Sequence, residues 1–116
     1  MKKRIRELWI KALRSGKYKQ TRHRLKKAGK YCCLGVLCDL AAKEGIGKWK
    51  GNSFITADEI QEGDCPIEVM EWAGLSYGFL IGKESNAATP IDTNDGMCEN
   101  FNQIADRIER RVSRYW

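Results

Sequence analysis

The chain has 116 residues, 42% hydrophobic and 31% charged, which suits one domain spanning 1–116 and is too apolar for a disordered tail. Its net charge of +6 conceals a division: residues 1–30 hold thirteen Lys and Arg against Glu7 alone, residues 31–106 hold four against thirteen Asp and Glu, and residues 107–116 hold four against one. The longest uncharged stretch, Trp72 to Gly82, has eleven residues where a spanning helix needs about 20, and Glu7 and Lys11 break the apolar segment of an export signal, so neither a membrane span nor export is expected.

Ile5, Leu8, Trp9, Ala12 and Leu13 recur at helical spacing, which predicts a first helix over about 3–15, ended by Ser15-Gly16. From Lys17 to Tyr31 the pattern is polar and basic, with Tyr18, Leu25 and Tyr31 as isolated anchors, which suits a short strand pair or an ordered loop. Cys33, Leu34, Leu37, Cys38 and Ala41 repeat with a helical period up to Gly45 and predict a central helix. Gly51-Asn52 between two apolar runs has the chemistry of a tight hairpin turn. Cys65-Pro66 opens a short helix that runs to Trp72-Ala73 and stops at Gly74. A strand fragment from Tyr77 and a long polar loop to Gly96 follow. Asn100 and Gln103 form a capping box for a last helix with the stripe Phe101, Ile104, Ala105, Ile108 and Val112, ending near Arg114. The expected architecture is α+β, with three to four helices around a Cys-rich central helix and a small antiparallel sheet.

Cys32, Cys33, Cys38, Cys65 and Cys98 are an odd set in a chain with no recognisable export signal, so reduced, buried thiols are expected. Zinc needs four converging donors. Cys33 and Cys38 lie five positions apart on a helix, about 140° around it, and neither Cys65, Cys98 nor His23 brings a second pair, so no metal or other cofactor is expected. Cys32 opens the central helix, where exposed N–H groups favour a thiolate; with His23 as base and Gln20 as oxyanion donor it is the one candidate for catalysis. Tyr31-Cys32-Cys33-Leu34 is also an ordinary apolar start to a helix, and buried structural thiols are the favoured reading.

Candidate ligand contacts are Tyr18, Gln20, Arg22 and Arg24 in the basic segment, Asn94 and Asp95 in the turn before the last helix, and Arg107 and Arg111 on it. Arg107, Arg110, Arg111 and Arg114 form a row suited to phosphate or carboxylate, although arginines there also complement the helix dipole. Trp9, Tyr18, Tyr31 and Trp49 lie among cations, as in single-stranded nucleic-acid binders; Trp9 belongs to an apolar stripe, which leaves Tyr18 and Trp49 as the better surface candidates. No helix-turn-helix, zinc-finger, RNP or GXXG pattern accompanies them.

Three segments carry a resemblance: Trp9-x2-Ala12-Leu13-x-Ser15-Gly16-x-Tyr18-x-Gln20; Tyr31-Cys32-Cys33-Leu34-Gly35-Val36-Leu37-Cys38-Asp39-Leu40-Ala41; and Asn94-Asp95 followed by Phe101-x2-Ile104-Ala105-Asp106-x-Ile108-Glu109. In this order they resemble small accessory proteins encoded by tailed phages and prophages. Thr93 departs from the pattern by standing where a leucine is expected. The resemblance implies a product of the host cytoplasm, outside the virion, and supplies no active site. Together with the divided charge it leads to an expected binder that inhibits host machinery or defence, gripping an anionic nucleotide or an acidic host protein surface. RNA or single-stranded DNA binding and a Cys32-dependent enzyme stand as alternatives, and self-association is left open.

Overall fold

A computed structural model of the chain describes residues 1–75 and 99–110. The expected strand from Tyr77, the turn with Asn94 and Asp95, and Cys98, Arg111 and Arg114 lie outside the described residues.

Helix α1 (Lys3–Arg14) buries Ile5, Trp9, Ile10 and Leu13 and packs most extensively on α4 (Phe101–Arg110), which buries Phe101, Ile104, Ala105 and Ile108. Both helices are polar on their outer faces, so each is held by its apolar stripe; burying an Ile or Phe side chain contributes roughly 1.5–3 kcal/mol. The capping box at the start of α4 is formed in full: Asn100 N donates to Gln103 Oε1, and Gln103 N donates to Asn100 Oδ1, both at 2.9 Å.

Helix α2 (Cys33–Lys43) has no outer face over its first turns: Cys33 through Cys38 are all buried. That makes it the central element, with α1 and the short helix α3 (Ile67–Ala73) against it. Cys32 caps α2, its Sγ accepting from Gly35 N at 3.3 Å. Trp9, with no exposed surface, donates its indole N–H to the Cys33 carbonyl at 2.9 Å and so locks α1 onto the start of α2.

The basic segment closes as a hairpin of β1 (Lys26–Lys27) and β2 (Lys30–Tyr31), with Lys26 opposite Tyr31. Its turn holds Ala28 and Gly29 at φ of 51° and 77°, the left-handed pair that a tight two-residue hairpin demands. A second, antiparallel sheet runs in the order β3 (Lys48–Lys50), β4 (Ser53–Ile55), β5 (Ile60–Gln61), and Gly51-Asn52 turn β3 into β4 as expected. Strand β5 is too short and polar to stand out in the sequence.

Pro66 caps α3 from outside, one residue earlier than a first-turn proline; the first helical N–H, that of Ile67, is taken by Glu59 Oε2 at 2.6 Å. Gly74 ends α3 in the left-handed conformation at φ 73°. Among the described residues no helix is long and apolar enough to cross a membrane.

Candidate functional site

Asp39 lies in the outer half of α2, beyond the fully buried turns, with 19% of its side chain exposed. It collects three partners: Tyr18 Oη donates to Oδ2 at 2.5 Å, Trp49 Nε1 donates to Oδ1 at 3.0 Å, and Lys43 Nζ stands 3.7 Å from Oδ2, one turn further along the helix. A loop and a strand are thereby pinned to one carboxylate of α2. Burial, followed by the Asp39 hydrogen bond and charge, pushes the Tyr18 phenol well above its ordinary pKa, so it remains a donor.

The rings so held form a column. Tyr18 meets Tyr31 edge to face at 5.1 Å between centroids, Tyr31 meets Trp49 at 5.8 Å, and Trp49 meets the fully buried Phe54 at 4.9 Å. Tyr18, Tyr31 and Trp49 are each half-buried, so the column runs from surface to core. Cations stand over it: Lys26 Nζ is 5.4 Å from the Tyr31 ring centre and 5.1 Å from that of Trp49, and Lys43 Nζ is 5.8 Å from that of Tyr18. Tyr18 and Trp49 are therefore partly enclosed and already engaged, and less open than surface candidates would be.

Beside Tyr18 a cleft of about 290 Å³ runs to the amino end of α4, lined among others by Gln20, Asn100 and Asn102. Residues 19–21 lie parallel to β2, with Tyr31 N donating to the Lys19 carbonyl and Thr21 N to that of Tyr31, both at 2.8 Å. Gln20 then donates its side-chain amide to the Glu99 carbonyl at 2.8 Å, tying the loop to the segment before α4. Two sequence candidates, Tyr18 and Gln20, are thus brought together at the end of α4 that Asn94 and Asp95 precede in the chain.

The arginines behave differently from the lysines. Arg107 spends its fork on Glu99, with Nε and Nη2 at 2.7 and 2.6 Å from the two carboxylate oxygens. Arg4 grips Glu44, Arg14 bridges Asp106 and Glu109, Arg24 pairs with Glu62, and Arg6 donates to carbonyls at the end of α4. Arg22 is half-buried. Of the four arginines proposed as ligand contacts, Arg107 is occupied, Arg24 shares its charge in an exposed pair, Arg22 is partly withdrawn, and Arg111 lies outside the described residues. Lys17, Lys19, Lys27, Lys30, Lys48 and Lys50 are exposed and make no ion pair among the described residues.

Hydrogen bonds from Arg4, Arg107 and Arg14 hold the carboxyls of Glu44, Glu99 and Glu109 below the usual carboxylate range. Their share of stability is complete above about pH 5, where they are ionised in both states, and is lost as pH falls through the lowered folded values. Arg107→Gln should flatten the fall in the urea midpoint between about pH 5 and 3. An unchanged acid profile would show that the Glu99 pair contributes nothing.

The three catalytic candidates differ in burial and partners. Cys32 has no exposed surface and its sulfur is used as a cap, His23 is exposed, and the Gln20 amide N–H is spent on Glu99. Cys32, Cys33, Cys38 and Cys65 are all buried, and burial and the neighbouring Cys65 thiol push Cys38 up in pKa. Among the described residues no cluster of three His, Cys, Asp or Glu could hold a metal ion.

A family model described as a domain of unknown function, DUF8296, matches residues 1–112, taking in every element from α1 to α4. The chain belongs to the DUF8296 family. No curated protein and no solved structure matches it. In this DUF8296 chain the sequence missed Asp39 as an anchor, and with it Lys26 and Lys43. The available signal was a single carboxylate in a run of otherwise buried helix, four positions before a lysine.

Proposed function

We propose that the chain is a phage-encoded accessory protein that acts in the host cytoplasm by binding, without catalysis, and that its partner is anionic and engages the lysines around the Tyr18–Tyr31–Trp49 column. The observation that carries this reading is the division of the cations: Arg4, Arg14, Arg24 and Arg107 are paired with carboxylates of the fold, while Lys26, over the half-buried Tyr31 and Trp49 rings, and the exposed lysines next to those rings in the chain make no ion pair among the described residues. Such a field attracts an anionic partner and speeds its encounter. The sealed Cys32 supports binding over turnover, and the three resembling segments support the phage origin.

Titration with inorganic polyphosphate tests the reading. Affinity should fall tenfold or more between about 50 and 200 mM salt, because each neutralised phosphate releases counterions. Lys27→Ala with Lys30→Ala should weaken it further, both positions being exposed on the hairpin. No binding, or binding indifferent to salt and to these lysines, would overturn the proposal.

A further inference from the structure

We infer that the anionic partner is a single-stranded nucleic acid, one of whose bases stacks on Trp49 after a backbone phosphate draws the Lys26 ammonium off the ring. The inference rests on the anion-binding reading and assigns its ligand.

Shape favours a chain over a small nucleotide. A small ligand is held by groups converging in a walled cavity. The exposed lysines next to the rings in the chain lie along three stretches, Lys17 and Lys19, the hairpin with Lys27 and Lys30, and β3 with Lys48 and Lys50; none of them lines the cleft beside Tyr18, and Lys17 and Lys48 line two separate clefts. Charges spread over separate stretches suit a chain of phosphates better than one small anion.

The rings separate nucleic acid from an acidic protein. A carboxylate is attracted by lysine but repelled by the negative face of an aromatic ring, whereas every base offers a π-face to stack. At this site the lysines stand over the rings themselves: Lys26 Nζ is shared between Tyr31 and Trp49 at 5.4 and 5.1 Å. A phosphate is a stronger partner for an ammonium than the face of a ring, so the same event that binds the backbone uncovers the platform. The platform is stiff because the Trp49 indole is fixed by Asp39 and its ring abuts Phe54. Asp39 does not repel the strand as a bare charge would, since Tyr18, Trp49 and Lys43 already surround its oxygens. A duplex, whose base faces are covered by neighbouring pairs, cannot use such a platform.

Tryptophan emission of the whole chain, titrated with a 20-nucleotide oligo-uridine, a duplex of equal length, inorganic polyphosphate and poly-aspartate, tests this. Oligo-uridine should bind about tenfold more tightly than polyphosphate and quench emission, and Trp49→Leu should remove most of that advantage. Trp49→Phe keeps a stacking ring but loses the N–H held by Asp39; it should abolish the quench while retaining more of the affinity than Trp49→Leu, and Lys26→Ala should weaken oligo-uridine without lowering the quench at saturation. If polyphosphate and oligo-uridine bind alike and Trp49 is silent, the inference fails and anion binding stands. Tightest binding by poly-aspartate would replace it with an acidic protein partner, and tightest binding by the duplex would remove the stacking step. If no probe binds, both readings fall.

Discussion

Gly35→Ala should destabilise the protein by about 3 kcal/mol or more, or prevent folding, the largest effect expected of a methyl group added at any glycine among the described residues. A Cβ on Gly35 would lie 1.8 Å from the Leu25 carbonyl oxygen, 2.8 Å from its carbon and 3.3 Å from its Cα. All three atoms are backbone, so no rotamer relieves the clash. Leu25 cannot retreat cheaply either: it is fully buried, its N–H donates to the Glu62 carbonyl at 2.7 Å, and its carbonyl accepts from Cys32 N at 3.1 Å. Pushing it away would break the tie between the basic hairpin, the cap of α2 and the end of β5 at once. Thermal unfolding followed by circular dichroism should show a midpoint lowered by about 10 °C or more. A midpoint within about 2 °C of the parent would mean that the close approach of α2 to Leu25 does not exist.

The same contact explains why part of this fold was legible in the sequence and part was not. Helices α1, α2 and α4 announce themselves because each carries a long apolar stripe, and the Asn100–Gln103 box and the Gly51-Asn52 turn are local chemistry that needs no tertiary context. Strand β5 is two residues long and Ile60 on it is 69% exposed, so no alternation marks it. The candidate site was only half legible for a different reason. Thirteen Lys and Arg in residues 1–30 signal a basic surface, but whether a cation is spent depends on acids remote in sequence: Arg14 meets Asp106 and Glu109, Arg24 meets Glu62, and Arg4 meets Glu44. Spacing along the chain carries no record of such pairings. The Tyr31 to Asp39 segment, where the resemblance is most specific, is mainly framework: Cys32 caps, Cys33 receives Trp9, Gly35 admits Leu25, and Cys38 packs beside Cys65. Only its two ends, Tyr31 and Asp39, reach the candidate site, and they do so because the buried stretch between them fixes their separation.

Asp39→Ala should therefore act on stability and site together, with a net loss of about 3 kcal/mol. Alanine is the better helix former by roughly 0.5 kcal/mol, which offsets part of the damage. Against that gain, hydrogen bonds to a charged acceptor contribute about 1.5–3 kcal/mol, and the half-buried Tyr18 hydroxyl and Trp49 N–H both lose theirs. The loss should exceed the gain, and the urea midpoint should fall without a change in slope. Asp39→Asn keeps one acceptor oxygen for two donors and loses the charge facing Lys43, so it should fall between the parent and the alanine variant. The Tyr18 phenol, raised first by burial and then by Asp39, should titrate lower in Asp39→Ala while staying above an ordinary tyrosine, because the burial remains. With its indole no longer fixed, Trp49 should also show lower emission anisotropy and a weaker response to oligo-uridine. Parent-like stability together with an unmoved Tyr18 titration would show that the aromatic column is held by ring packing alone and that Asp39 is not its anchor.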